Sequence, residues 1–298
     1  MPHKKQEYED YLKFFEMAIE EAKVIPKYFS KYSNKIYCNH QKMSIYLFMR
    51  KLKLTTRGVI SFLKSCSDAR LILGLTKVPV HTTIVRFANK IKKHIHLLLG
   101  IRQAVTAAVD STGFELESKS YYYRNITQDR FNHRRKTKRY AKLGICIDTD
   151  KQIILTYKIR KKLRNDHIDF EYLLKDLKVK MVLGDKGYDS KNNRLFVVRK
   201  LKAIPNIPYR ITSGPTYIKG KKAIKFDKRT YHQRSKVETV FSVIKRKYGS
   251  VLRNKSFTTQ QVELISKLIT YNLDRKINYF LLLIRGLHQS QLSKTLLI

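Results

Sequence analysis

The sequence predicts an α/β fold in which a mixed sheet follows a helical N-terminal region. Residues 1–100 carry apolar side chains at helical spacing. From residue 101 the pattern changes to short β-prone segments, which then alternate with helical segments. Strands that come first and then alternate with helices are typical of a sheet with parallel and antiparallel neighbours. We therefore expect a helical domain at residues 1–100, an α/β domain at 101–275 and a C-terminal tail at 276–298.

The helical domain contains four predicted helices. Their apolar residues recur at intervals of three and four, and the segments are residues 8–22, 42–52, 57–75 and 82–95. The last of them follows Gly74 and Pro79, and Thr82 or Thr83 can cap its first turn.

The fourth predicted helix has a basic outer face. Ile84, Phe87 and Ile91 recur at helical spacing and predict one buried stripe. The side chains that lie off this stripe are those of Arg86, Asn89, Lys90 and Lys93. Two helices joined by a tight glycine-containing turn, the second with such a face, suit a helix-turn-helix in a DNA groove. A purely structural helical hairpin is the alternative.

The α/β domain contains four predicted strands and four predicted helices. The strands are at residues 103–109, 143–148, 153–159 and 180–184, and the second and third form a hairpin across Thr149, Asp150 and Lys151. The helices are at residues 166–177, 192–200, 231–248 and 258–278.

A long basic segment separates the first two strands, between Leu116 and Lys142. Its aromatic residues are Tyr121, Tyr122, Tyr123 and Phe131. Basic residues interleaved with aromatic ones fit a segment that follows phosphates and stacks on unpaired bases. A mobile charged loop is the alternative.

The charge of the chain points to an anionic partner. Among 298 residues there are 63 Lys and Arg but only 23 Asp and Glu, which gives a formal charge of +40. Nucleic acid suits such a charge because each neutralised phosphate releases counterions and adds affinity. A solvated basic surface is the alternative. No signal peptide or membrane span is evident, so we expect a cytoplasmic protein associated with the DNA of the nucleoid.

The three cysteines are predicted to be small buried apolar residues. Cys38, Cys66 and Cys146 lie far apart and lack the spacing of a zinc site or a disulfide framework.

Two aspartates follow apolar strands. Asp110 ends the first predicted strand and Asp185 ends the fourth. If these strands are neighbours, both carboxylates lie at one edge of the sheet and can share a hard cation. The alternative is that each aspartate caps a turn. Competing acids are assigned to turns and helix starts, and these are Asp148, Asp166, Asp169 and Asp189.

A third acid lies on a basic helix. Tyr231, Arg234, Glu238 and Lys245 recur at spacings of three, four and seven, which places them on one helical face. Residues 221–255 contain twelve Lys or Arg and two acids. A surface ion pair between Arg234 and Glu238 explains their spacing but not the shared face.

These four residues match in full a known signature: Tyr, two residues, Arg, three residues, Glu, six residues, Lys. In this signature the chain resembles the DDE insertion-sequence transposases. The segments around Asp110 and at residues 184–189 belong to the same resemblance, as do Phe257 and residues 271–273. The resemblance covers roughly residues 52–275.

The resemblance implies an RNase H-like catalytic domain. Asp110 would lie on its first strand, Asp185 after its fourth, and Glu238 on the following helix. Some members carry a large β insertion before the glutamate. Only 52 residues separate Asp185 from Glu238, so a full insertion domain does not fit.

The resemblance also implies the chemistry. Two Mg²⁺ or Mn²⁺ ions would be held by Asp110, which bridges them, and by Asp185 and Glu238, which bind one each. The partners would be double-stranded DNA at the element ends and the target, with a homo-oligomer in the DNA complex and no membrane. We expect DNA contacts from Tyr231, Arg234, Lys245, Arg86, Asn89 and Lys90.

The predicted function is therefore that of a DNA transposase, which binds the ends of its element and performs strand cleavage and strand transfer. An inactive DNA-binding relic and an RNase H-like nuclease or resolvase are the alternatives. The complete set of acids favours an active enzyme over a relic.

Overall fold

The computed structural model describes residues 2–116, 140–161, 165–210 and 226–295, with side chains described from residue 8 to residue 280 within these ranges. The aromatic residues of the predicted basic segment, Tyr121 to Tyr123 and Phe131, lie outside the described residues. The contacts divide the chain into two compact units. The helical unit comprises residues up to Leu98 and from Leu264 onward, and the sheet unit comprises Leu99–Glu263.

The helices and strands of the described residues have the following bounds. The α-helices are α1 Pro2–Glu21, α2 Asn39–Lys51, α3 Thr56–Ser65, α4 Ser67–Ile72, α5 His81–Lys90, α6 Phe170–Leu174, α7 Lys191–Arg199, α8 Lys228–Tyr231, α9 Ser235–Tyr248 and α10 Phe257–Thr295. The strands are β1 Gln103–Leu116, β2 Tyr140–Asp148, β3 Ile154–Arg160, β4 Lys178–Leu183, β5 Ile204–Asn206 and β6 Val251–Leu252. Short 3₁₀ helices lie at Ala22–Val24, Ile91–Lys93, Ile95–Leu98, Asp166–Asp169, Lys186–Tyr188 and His232–Arg234.

An aromatic cluster forms the centre of the helical unit. The ring of Phe48 on α2 lies 4.2 Å from that of Phe15 on α1 and 4.9 Å from that of Phe62 on α3, measured between centroids. All of these helices are amphipathic, so their apolar faces are buried against one another. Helix α10 joins this core, because Lys51 Nζ binds Asp274 Oδ1 at 2.6 Å and both side chains are largely buried.

The predicted helix at residues 57–75 is two helices. The backbone of Cys66 is extended, with φ −106° and ψ 101°, and separates α3 from α4. Gly74 then adopts φ 61°, a conformation that favours glycine, at the turn toward α5.

Helix α5 differs from its prediction at both ends. Neither Thr82 nor Thr83 caps it: the residue before the helix is Val80, whose side chain makes no capping hydrogen bond. The helix ends at Lys90, where a 3₁₀ turn takes over. The predicted stripe is confirmed, since Ile84, Phe87 and Ile91 are all buried.

The described strands form one six-stranded mixed sheet. Its order is β3-β2-β1-β4-β5, and β6 pairs with the end of β1. Strands β1, β2 and β3 pair antiparallel, whereas β4 pairs parallel to both β1 and β5. This confirms the predicted α/β fold with a mixed sheet after N-terminal helices, in the RNase H-like arrangement. The strands β5 and β6 are too short for a sequence pattern to predict.

The sheet carries helices on both faces. Ala107 and Val109 of β1 belong to an apolar core with Phe170 and Leu173, so α6 covers that face. Residues of a strand alternate between faces, and Asp110 therefore lies on the opposite one. On that side Val237, Val240 and Ile244 of α9 are fully buried.

The division into units differs from the predicted boundary at residue 275. Residue 276 lies inside α10, which continues without interruption from Phe257 to Thr295. From Leu264 onward the chain groups with the helical unit, because Thr270 Oγ1 lies 3.4 Å from the carbonyl oxygen of Leu47 and Lys276 Nζ binds Glu21 at 2.6 Å.

Of the competing acids, one has its predicted role. Asp148 accepts hydrogen bonds from the backbone of Asp150 and thereby shapes the hairpin turn. The Asp166 and Asp169 side chains instead form ion pairs, with Lys142 and Arg160 respectively. These pairs link the 3₁₀ helix before α6 to β2 and β3.

Asp189 does not begin the next helix. Ser190 caps α7 by accepting a hydrogen bond from the backbone of Asn193, and Asp189 binds Arg194 at 2.9 Å with both side chains at most 2% exposed. The Asp189 carboxylate also accepts from the backbone of Arg210 at 2.7 Å. Buried charges require such partners, since an isolated buried charge is costly.

Two of the three cysteines are buried as predicted, Cys66 and Cys146. Cys38 is half-buried, and its sulfur accepts a hydrogen bond from the backbone of Gln41 at the start of α2. Among the described residues, no helix combines the length and the apolar character needed to cross a membrane.

Candidate active site

The parallel pairing of β1 with β4 brings the two predicted aspartates to one place. Ala108 lies opposite Leu183 in the register of these strands. Asp110 and Asp185 each follow their member of this pair by two residues. The carboxylates therefore lie at the same edge of the parallel part of the sheet, as expected for neighbouring strands.

Asp110 does not end its strand, contrary to the prediction. It lies inside β1, where it pairs with Ile145 of β2, and the strand continues to Leu116. The predicted end at residue 109 was wrong because β2 and then β6 supply partners for the polar residues that follow. On the opposite edge of β1, the partner strand β4 ends at Leu183. Asp110 therefore has no partner among the described strands on that edge.

The loop after β4 holds the Asp185 carboxylate against its own backbone. Asp185 Oδ1 accepts a hydrogen bond of 2.8 Å from the backbone N–H of Gly187, in a 3₁₀ turn that it caps. A Cβ atom at Gly187 would lie 2.8 Å from the same oxygen, closer than van der Waals contact permits. The glycine is therefore required for the position of this carboxylate.

The predicted helix at residues 231–248 is interrupted. Tyr231 ends α8, Arg234 ends a 3₁₀ turn, and α9 starts at Ser235. Side chains three residues apart in a 3₁₀ turn are eclipsed, so Tyr231 and Arg234 still share one side, with the guanidinium 6.0 Å from the centre of the Tyr231 ring. The Tyr231 ring also lies 5.1 Å from that of Phe226.

Arg234 connects two of the three acids. Its guanidinium lies 2.5 Å from Glu238 Oε1 and 3.4 Å from Asp110 Oδ2. The predicted alternative, an ion pair between Arg234 and Glu238, is therefore present. The contact between Arg234 and Asp110 links this ion pair, and with it Glu238, to the edge of β1. A surface ion pair alone would not make that link.

Lys245 also contacts β1. Its Nζ donates a hydrogen bond of 2.6 Å to Thr112 Oγ1 and lies 5.5 Å from the centre of the Phe114 ring. Thr112 and Phe114 follow Asp110 at intervals of two, so all three lie on one face of β1. The helix α9 thus runs along this face, with Arg234 near its start and Lys245 in its last turn.

Asp110 is a perturbed acid. Burial raises the pKa of its carboxyl to about 6, and the charges of Asp185 and Glu238 act in the same direction. The backbone N–H of Ser111 and the charge of Arg234 oppose this pKa shift. Clusters of perturbed carboxylates are typical of functional sites, because each acid increases the cost of ionising its neighbours.

Tyr188 lies beside this cluster and was not predicted as a site residue. It is 1% exposed, and its ring packs 5.6 Å from that of Phe170. Burial raises the pKa of the Tyr188 phenol, and the charges of Asp110, Asp166 and Asp185 act in the same direction. Its position three residues after Asp185 is the sequence signal that could have identified it.

Carboxylates such as these three are suitable ligands for a divalent metal ion. Two of them, Asp110 and Glu238, are however arranged around the guanidinium of Arg234. Among the described residues, no three or more His, Cys, Asp or Glu side chains lie close enough together to hold a metal ion. Arg234 is the cation placed between Asp110 and Glu238. Burial and the charges of Asp185 and Glu238 raise the pKa of Asp110, and the negative potential of these carboxylates is one that Mg²⁺ or Mn²⁺ would relieve.

The other predicted DNA contacts lie in the helical unit. Arg86, Asn89 and Lys90 are exposed on α5, on the side away from its buried stripe. Their exposure agrees with the pattern in the sequence.

Comparison with known families identifies the chain. A family model described as a transposase DDE domain matches residues 102–273, more than half of the sequence. The chain belongs to this DDE transposase family. The match spans Asp110, Asp185 and Glu238. Among curated protein sequences, none matches this transposase.

Solved transposase structures are similar over most of the chain. The cryo-EM structure of a piggyBac transposase synaptic complex with hairpin DNA has 9% sequence identity and a TM-score of 0.49, and the alignment covers 89% of this chain and 73% of that one. The crystal structure of the Mos1 strand transfer complex has 13% identity and a TM-score of 0.28, with 84% and 79% covered.

The Lys245 to Thr112 hydrogen bond predicts a measurable coupling. Thr112→Val removes the acceptor but keeps the shape of the side chain, so we expect the free energy of unfolding to fall by about 1.5 kcal/mol, as for a hydrogen bond to a charged group. Urea denaturation measures the loss. In a background that already carries Lys245→Met, the same substitution should cost much less. Equal costs in both backgrounds would show that the two side chains do not interact.

Proposed function

We propose that this transposase cleaves and joins DNA strands at the site formed by Asp110, Asp185 and Glu238. The observation that carries the proposal is the convergence of the three acids. The register of β1 and β4 pairs two of them, and Arg234 connects the third to Asp110. Two half-buried aspartates and an exposed glutamate beside basic side chains suit a reaction on a phosphodiester.

The three acids are the residues that would hold two Mg²⁺ or Mn²⁺ ions. When bound, such ions activate an attacking oxygen and stabilise a leaving oxygen in phosphoryl transfer. The chain itself prepares the ligands. Ser111 fixes Asp110 through a backbone hydrogen bond of 2.8 Å, and Gly187 fixes Asp185 in the same way.

The basic side chains of the site would bind the DNA backbone. Arg234 and Lys245 stand on either side of Glu238 along α9, and both reach the face of β1 that carries Asp110. Lys245 donates to the neutral hydroxyl of Thr112, and a phosphate would offer it a charged, stronger acceptor. Tyr231 belongs to the same surface through its cation-π contact with Arg234, 6.0 Å from the ring centre.

Substitution of each acid should separate catalysis from binding. Asp110→Asn, Asp185→Asn and Glu238→Gln remove metal ligands but no phosphate contact, so we expect Mg²⁺-dependent strand cleavage to be lost while affinity for duplex DNA changes little. Cleavage assays and gel shifts measure the two properties. Asp150→Asn is the matched control, because Asp150 is exposed at the hairpin turn. Normal cleavage by any one of the three variants would remove that acid from the site.

Gly187→Ala tests the position of Asp185. The added methyl group displaces the carboxylate, and a displacement of about 1 Å at a reacting centre can lower the rate on the order of a hundredfold. We therefore expect a large loss of cleavage with normal DNA affinity. Lys186→Ala, at the exposed neighbouring position, should retain its activity. Wild-type turnover by Gly187→Ala would mean that Asp185 works from another position.

The helical unit would select the DNA. Helix α5 presents Arg86, Asn89 and Lys90 on its exposed face, and Arg and Asn side chains are the usual readers of guanine and adenine edges. We propose that this helix enters the major groove at the element ends, in a homo-oligomer that holds two of them and the target. The substrate would be double-stranded DNA in the cytoplasm, where the nucleoid lies.

Two substitutions on α5 test this assignment. Arg86→Ala and Asn89→Ala should each lower the preference for element ends over random duplexes by about 1 to 3 kcal/mol, the value of a base contact. Competition binding at fixed salt measures the ratio. Arg57→Ala, at an exposed position on α3, should leave the ratio unchanged. If the α5 variants also keep the wild-type ratio, this helix does not read sequence.

A further inference from the structure

The helical unit is basic to a degree that α5 alone does not explain. Between Glu21 and Leu98 the chain contains sixteen Lys or Arg and a single acid, Asp68. Three of these lysines lie in the stretch between the first 3₁₀ helix and α2, at residues 26–37, which we call the basic loop. They are Lys27, Lys31 and Lys35, and all three are exposed.

The lysines of the basic loop have no acidic partner within the described part of the chain. Lys27 and Lys31 contact aromatic rings instead, 6.0 Å above Tyr28 and 5.0 Å above Tyr32. The ion pairs of the helical unit are made elsewhere, for example between Lys23 and Glu20. The loop therefore presents uncompensated positive charge to solvent.

The backbone of the basic loop is fixed by the protein. The fully buried Asn39 donates from its side chain to the carbonyl of Pro26 at 2.9 Å and from its backbone to that of Lys27 at 2.8 Å. At the other end Asn34 accepts from the backbone of Ile36 at 3.0 Å. A fixed loop loses little conformational entropy when it binds, which favours recognition.

Phe29 attaches the basic loop to the proposed DNA-reading helix. Its ring stacks on that of Phe87 of α5 at 5.9 Å and on that of His94 at 5.7 Å. Lys42 lies between these elements, with its Nζ 5.7 Å from the centre of the Phe87 ring. The loop and α5 are therefore neighbours in one packed structure.

Two large apolar side chains of the loop are exposed to solvent. Tyr32 is 84% exposed and Ile36 is 59% exposed. Lysines supply phosphate contacts, and the apolar side chains between them offer a surface that the sugars between those phosphates could cover.

We propose that the basic loop is a second duplex DNA contact of the helical unit, in which Lys27, Lys31 and Lys35 bind phosphates and Tyr32 and Ile36 pack against deoxyriboses. The proposal rests on the proposed function, since it places the loop on the duplex that α5 reads. Phosphate contacts carry no sequence information, so the loop would add affinity and orientation while α5 adds specificity.

The test uses full-length protein and a labelled duplex of about 30 base pairs with arbitrary sequence. Lys31→Gln/Lys35→Gln removes two proposed contacts, so the slope of log K against log salt concentration should fall by about 1.8, with about a 30-fold loss of affinity at about 0.15 M salt. Lys64→Gln/Lys77→Gln is the control, because it removes the same charge from two exposed positions outside the loop. The control should retain the wild-type slope.

Tyr32→Ser provides a second variant with a different expected result. It removes an apolar contact but no charge, so affinity should fall while the salt slope stays at the wild-type value. Thermal denaturation of each variant should match that of the wild type, because all the altered side chains are exposed.

Three results would overturn the proposal. An equal loss in the loop and control variants would mean that only net charge matters, and a loss confined to single-stranded DNA would assign the loop to unpaired strands. Wild-type affinity of the loop variants would show that the loop does not touch the duplex, while α5 and the active site stay as proposed. Failure of the wild-type protein itself to bind any duplex would instead contradict the proposed function.

Discussion

The site depends on the parallel pairing of β1 with β4. The sequence separation of Asp110 and Asp185 is large, and only the register that places Ala108 opposite Leu183 makes them neighbours. Because side chains alternate along a strand, a shift by one residue would turn Asp110 to the other face of the sheet, into the apolar core around Val109. The burial of that core therefore stabilises the register that the acids require.

The antiparallel pairing on the other side of β1 has a complementary effect. By continuing past Asp110 to Glu115 and Tyr140, the β1 and β2 pair keeps the backbone around the acid hydrogen-bonded. Asp110 is consequently held by a rigid strand, whereas the Asp185 carboxylate is held by the backbone N–H of Gly187, where an added side chain would displace it. Two different local devices thus position two acids at one edge, and the salt bridges of Arg234 add the third.

Much of this arrangement follows from the sequence. Hydrophobic patterns predict the strands and most helices, and the position of Asp110 and Asp185 beside neighbouring strands predicts that both lie at one edge of the sheet. Hydrophobic patterns do not show which side chains meet in the folded chain, and the role of Asp189 depends on such a partner, Arg194. The interruption of the helix near Arg234 is due to a 3₁₀ turn that no residue type in the sequence predicts. The length of β1 was underestimated for the same reason, since polar residues continue a strand only when neighbours such as β6 pair with them. The hydrogen bond between Lys245 and Thr112 likewise joins residues that are distant in the chain.

The way α10 passes from the sheet unit into the helical unit has a consequence for the order of folding. The helical unit is assembled from both ends of the polypeptide, since Asp274 binds Lys51 and Lys276 binds Glu21. A ribosome delivers the first 98 residues long before Leu264, so the first helices emerge without the segment that completes their core. The sheet unit is contained within one stretch of chain, and the last of its described strands ends at residue 252. During synthesis the sheet unit can therefore reach its final structure before the helical unit does, and a fragment that stops near residue 100 would lack part of the helical core.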